Sequence, residues 1–208
     1  MIIKNICGEM IMLIQKELMH FKEKCVKNNC KSVVNVNICK ILIPPFENMP
    51  ADTQRLFSYF LHMAPDISSV HSLKISKTLH AELFRQMMEN RHFFYQKFCS
   101  SNAPIEKELD KGFLSGSNLC LKCKRYVCKR EKNKKGISPE SDLDCFLRHI
   151  RNSIAHGRVY YSNVNNRIHI IFEDINKSQN ISARIVCFKS DLEYWKKILK
   201  NPNNYKGV

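Results

Sequence analysis

The stretch FLRHIRNSIAHG, residues 146–157, gathers the side chains with the greatest chemical reach in this chain. Arg151, Asn152 and His156 fall close together there. An imidazole titrates near neutrality and can pass a proton in either direction. A guanidinium holds a phosphate through two parallel donors and stabilises charge that grows on it. An amide one helical turn before the histidine can orient it, because positions four apart on a helix are neighbours. These groups suit metal-free cleavage of a phosphodiester, in which a ribose 2′-hydroxyl attacks the adjacent phosphate.

One element has to aim them together. Ser138 is a good N-cap, Pro139 fits the first helical position, and Glu140, Asp142 and Asp144 favour the positive end of the helix dipole. Leu143, Leu147, Ile150 and Ile154 form an apolar stripe, and Gly157 supplies a stop. At about 100° per residue, Asp144 and Arg151 project on nearly one line, with Arg148, Asn152 and His156 continuing round the polar side. The expectation is one exposed arc on which Asp144 orients Arg151. The same arc also fits a polar helix face in water, where Arg and His are common.

The flanking elements follow from periodicity. Apolar spacing predicts helices over about Glu9–Cys25, Pro50–Met63, Ser76–Phe98 and Ser190–Leu199. The segment SVVNVNICKILIPP reads as a short strand or an extended connection. After Gly157 the period changes to two, and VYY, RIHIIFEDI and SARIVCF predict three short strands. His80 and His92 read as ordinary helix residues, without a partner at ligand spacing.

Composition sets the wider limits. The chain has 208 residues, 44% of them hydrophobic, which suits one domain spanning 1–208. Thirty-four Lys and Arg against 19 Asp and Glu leave a formal charge of +15, so nucleic acid is the first partner to consider and an anionic membrane surface the second. Eight basic residues between Lys122 and Lys135 suggest a mobile basic loop or insertion at about 115–137. Lys122, Lys124 and Arg125, together with Arg148 and Arg158, are the candidate RNA contacts. No stretch reaches the roughly 18 apolar residues of a membrane span, and no secretory signal is evident. With 10 cysteines and neither feature, the expected setting is the reducing cytoplasm, where most thiols act as small hydrophobes. Cys120, Cys123 and Cys128 are weak zinc candidates, since a structural site needs four ligands and Cys99 or a histidine would have to supply the last.

FLRHIRNSIAHGRVYY resembles the signature of the HEPN superfamily, with its Arg, polar residue and His on Arg151, Asn152 and His156. The continuation RIHIIFEDINKSQNISARIVCFKSDLEYWKKIL is similar to a prokaryotic branch known from plasmids and defence loci. The resemblance implies a mainly α fold: a helical bundle with a small C-terminal antiparallel β segment and a final helix. It also implies a homodimer in which the Arg and His of both chains form one composite, metal-independent endoribonuclease site needing no cofactor. Asp144 is the best match by face to an acidic residue found upstream in active members. Toxin or anti-phage roles, with an antitoxin or defence partner, are common in the superfamily, and some members only bind or dimerise. Members paired with a nucleotidyltransferase antitoxin carry a Tyr two residues after the His, where this chain has Arg158. A zinc-stabilised regulatory module stays open as a further alternative.

Overall fold

A computed structural model of the chain describes residues 33–35, 40–42, 49–62, 74–98, 118–120, 124–129, 140–164, 167–176 and 181–205. Among them are four α-helices: α1 (Ala51–His62), α2 (His80–Glu89), α3 (Asp142–Ala155) and α4 (Lys189–Lys200). The strands are β1 (Val33–Asn35), β2 (Lys40–Leu42), β3 (Phe94–Phe98), β4 (Asn118–Cys120), β5 (Arg125–Lys129), β6 (Val159–Val164), β7 (Arg167–Ile175) and β8 (Ile181–Phe188). Six of these strands form one mixed sheet in the order β2-β6-β7-β8-β5-β3, parallel only between β3 and β5, while β1 and β4 pair separately.

This corrects the expected mainly α bundle with a small C-terminal β segment. The predicted strands after Gly157 are present as the antiparallel meander β6-β7-β8, but that meander is the middle of a larger sheet. Strands from earlier in the chain extend it at both edges, so the architecture is α/β. Two local misreadings account for the difference. The aromatic run FFYQKF shows helix-like spacing, yet the helix ends at Glu89, His92 turns the chain with φ 55°, and the run continues as β3. The stretch RYVCK, read as part of a basic loop, is β5, with Arg125, Tyr126, Val127 and Cys128 all buried. The proposed helix over Glu9–Cys25 lies outside the described residues.

The sheet positions α3. Its helix-side face carries Tyr126 and Cys128 from β5, Ile170 and Phe172 from β7, and Ala183, Ile185 and Cys187 from β8. The alternating residues Leu143, Leu147, Ile150 and Ile154 of α3 are buried in this same core, as the apolar stripe requires. Phe146 packs edge-on against Tyr126 and Trp195, with ring centroids 4.8 and 4.9 Å away. Trp195 also donates from its indole to the Met87 carbonyl at 3.0 Å, tying α4 to α2. Among the described residues, α3 is covered along its apolar stripe and is open on the side carrying Arg148, Arg151, Asn152, Ala155 and the capping His156.

Candidate active site

The start of α3 is built by Ser141, three residues after the expected cap at Ser138, which lies outside the described residues. Ser141 accepts from the Asp144 backbone N–H at 3.1 Å, and the Asp144 carboxylate accepts from the Ser141 N–H at 3.3 Å and hydroxyl at 2.7 Å. This reciprocal capping box satisfies backbone donors that the first turn leaves open. His80 closes the arrangement, with Nδ1 2.9 Å from the Ser141 hydroxyl and 3.3 Å from Asp144 Oδ1. Asp144 is therefore buried in a structural role at the opposite end of the helix from His156, and its carboxylate engages Ser141 and His80 rather than Arg151.

Arg148 is also engaged. Its guanidinium makes a two-pronged bond to Glu140, at 2.9 and 2.6 Å, and approaches Asp174 at 3.8 Å. Burial works to raise the Glu140 pKa, but the Arg148 guanidinium outweighs it and leaves the carboxyl below its usual range.

At the next position, the buried His149 ring bonds through Nδ1 to Asp174 Oδ2 at 2.6 Å. The same carboxylate oxygen accepts from the Asn152 amide at 3.2 Å. Burial opposes a charged imidazole, yet the bond to Asp174, helped by Cys145, raises the His149 pKa overall. Asn152 is thus held by Asp174, not by His156; only its backbone carbonyl reaches His156, accepting that residue's N–H at 2.9 Å. Asp174 stands on β7 within the FEDI segment and was missed as a site residue. Its signal is an acidic pair, Glu173-Asp174, directly after the apolar run Ile170–Phe172, where burial demands a partner for each carboxylate. Glu173 finds Arg184, at 2.6–2.7 Å.

The end of α3 places His156. The Gly157 N–H bonds to the Ile154 carbonyl at 3.1 Å and the Arg158 N–H to the Ser153 carbonyl at 2.8 Å, the paired bonds of a Schellman motif. Gly157 takes the left-handed conformation there, φ 64°, which any side chain would penalise. His156 occupies the cap position and is exposed, while Arg151, Asn152 and Arg158 are half-buried. Among the described residues, neither the Arg151 guanidinium nor the His156 ring has a hydrogen-bond or ion-pair partner. The helix end therefore offers a free cation and a free imidazole beside an anchored amide.

The other candidate contacts separate. Arg125 is fully buried in β5, so it is not a surface RNA contact. Lys124 lies over the Phe93 and Phe188 rings and 3.3 Å from the buried Asp191 carboxylate. It lines a cleft of about 670 Å³ with Arg91, His92, Arg167, Phe188 and Lys189. That cleft opens at the Arg167 end of β7, away from Asp174. Lys122 and Cys123 lie outside the described residues, and of Cys120 only the backbone, in β4, is described. Cys128 is grouped instead with Cys145 and His149, their ligating atoms all within 4.8 Å of one another. His80 is a buried structural histidine, and His92 is an exposed turn residue.

Fold and site together define a helix-on-sheet domain whose central helix ends in Arg-Asn-x3-His. A family model described as HEPN pEK499 p136 matches residues 5–206, so the chain belongs to this HEPN family. No curated protein and no solved structure matches it. Among the described residues, no helix is long and apolar enough to cross a membrane.

Proposed function

We propose that this protein is a metal-independent endoribonuclease acting as a homodimer. His156 serves as general acid and base on the ribose 2′-hydroxyl and the leaving oxygen. Arg151 neutralises charge growing on the phosphate, and Asn152, steadied by Asp174, positions the backbone. The observation that carries this reading is the pair of uncommitted heads, Arg151 and His156, on the motif of a HEPN-family chain. Around the helix axis these two residues diverge by about 140°, so one helix aims them poorly at a single phosphate. A second motif helix across a two-fold axis supplies the missing partner. Toxin or anti-phage defence is the setting proposed for the activity, with RNA as substrate and a partner protein as its control.

The test is cleavage of a defined RNA in EDTA. We expect fragments ending in a cyclic phosphate and a 5′-hydroxyl, and a loss of about 100-fold or more in His156→Ala and Arg151→Ala. Equal cleavage by wild type and His156→Ala would assign the activity to a contaminant and sink the reading.

A second reading, a binding module without catalysis, is favoured by the basic cleft around Arg91, Lys124 and Arg167. It expects salt-dependent RNA binding that persists in His156→Ala, is weakened by Arg167→Ala, and yields no cyclic phosphate.

A further inference from the structure

A second cluster of reactive side chains lies beneath the motif helix, where the strand register brings it together. Cys128 of β5 and Asp174 of β7 both pair with Ala183 of β8, so all three fall on one line across the sheet. His149 of α3 meets this line at Asp174. Its Nδ1 is taken by Asp174, which leaves Nε2 as the ring nitrogen able to bind something else. Nε2 is buried, has the Cys145 sulfur as its neighbour, and makes no hydrogen bond of good geometry among the described residues. Cys145, one turn earlier on the same helix, sits beside the ring.

Cys128, Cys145 and His149 are each 1% exposed or less. A cysteine nucleophile this deep would meet no substrate, so the Cys145–His149–Asp174 sequence is not a catalytic triad. As a ligand set its chemistry is coherent. Two sulfurs and an imidazole match the preference of zinc and similar cations, and bonds of about 2.1–2.3 Å set tetrahedral ligands roughly 3.5–3.8 Å apart. The observed limit of 4.8 Å needs only small side-chain adjustment to reach that. Two thiolates cancel a divalent charge, so the filled site would bury no net charge. Asp174 on the far nitrogen of His149 is the outer carboxylate that commonly orients a histidine ligand.

We propose that Cys128, Cys145 and His149 form a structural binding site for a zinc-class divalent cation that clamps β5 to α3. The fourth position falls to the Tyr126 hydroxyl oxygen, 3.6 Å from the Cys145 sulfur, or to one small ligand. On binding, each thiol loses its proton to solvent and each sulfur donates an electron pair to the metal; no redox change occurs. Through His149 and Asp174 the metal would also brace Asn152, without taking part in cleavage.

The full-length protein, purified without chelator and under reducing conditions, tests this by elemental analysis and cobalt substitution. The expected result is about one zinc per chain, and a cobalt form with near-ultraviolet charge-transfer intensity for two thiolates and tetrahedral visible bands. Cys128→Ser and Cys145→Ser should lose the metal or halve that intensity, while Cys120→Ser and Cys123→Ser should keep both. Where a serine variant does not fold, the thiolate count in the wild-type cobalt spectrum decides. Wild-type protein that takes up no zinc or cobalt, metal retained unchanged in Cys145→Ser, metal lost only in Cys120→Ser or Cys123→Ser, or a Cys128–Cys145 disulfide found by mass spectrometry would each overturn the proposal.

Discussion

Asp174 and His156 illustrate two ways for a residue to matter. Asp174 is 4% exposed and bonds His149 and Asn152, so removing it leaves two polar groups without their acceptor and takes a carboxylate from beside Arg148. Asp174→Ala should cost about 3 kcal/mol, the scale for breaking a buried charged contact, and lower the melting temperature by about 6–12 °C for a chain of this size. His156 is exposed and without a described side-chain partner, so His156→Ala should leave the melting temperature within about 2 °C while abolishing cleavage. Thermal denaturation of both variants beside the RNA assay separates the roles. A large melting shift in His156→Ala would mean that the imidazole is structural. Arg151, Asn152 and His156 could be picked out in the sequence because residue type and spacing announce them. The grouping of Asp174 and Cys128 with His149 and Cys145 of α3 was not legible, because only the pairing of β7 and β5 with β8 on either side brings those two strand residues under the helix.

At the scale of the element, α3 is defined by its two ends. The capping box at Ser141 and the Schellman turn at Gly157 hold it in register with β7, to which Arg158 bonds through the Glu173 N–H at 3.1 Å. The stop at Gly157 was legible because glycine alone takes that backbone conformation without cost. The start was misplaced because Ser138 and Ser141 are equally good caps by type, and the contact that selects Ser141 comes from His80, distant in sequence. The Glu140–Arg148 pair adds a pH dependence. The folded pKa of Glu140 lies below its ordinary 4.5, so the stabilisation is complete above that value and fades as pH falls through the lower folded pKa. Wild type should lose stability relative to Glu140→Gln across that acidic window, with the difference constant near neutrality. Urea titrations between about pH 3 and 7 would show it, and parallel curves throughout would remove Glu140 from the account.

For the whole molecule, the +15 charge and the apolar content pointed to a basic, compact partner for a polyanion, but composition carries no topology. The sheet was half visible. Its meander β6-β7-β8 joins neighbours in sequence, where alternation over six to nine residues can be read. β2 falls in SVVNVNICKILIPP, whose β-branched run already read as a short strand or extended connection, whereas β3 and β5 run for only five residues each and were hidden in a helix-like aromatic run and a basic stretch. The basic residues divided in a way charge could not show: Arg125 went into the sheet, Arg148 into an ion pair with Glu140, and Arg151 has no ion-pair partner among the described residues.

The strand order has one more consequence, in how the native state breathes. β7 and β8 are flanked by strands on both sides, whereas β2 is a three-residue edge. Backbone amides of β7 and β8 should exchange with deuterium only when the entire domain opens, while those of β2 should exchange through local fraying. Native-state exchange followed by mass spectrometry would map this, and early exchange across residues 170–174 would contradict it. Asp174, on which the anchored amide depends, stands on one of those interior strands. Asp174 lies just past the last β6 pairing, Val159 with Phe172, but pairs with Ala183 of β8, so the anchor of Asn152 should open with β8 rather than with the fraying edge β2.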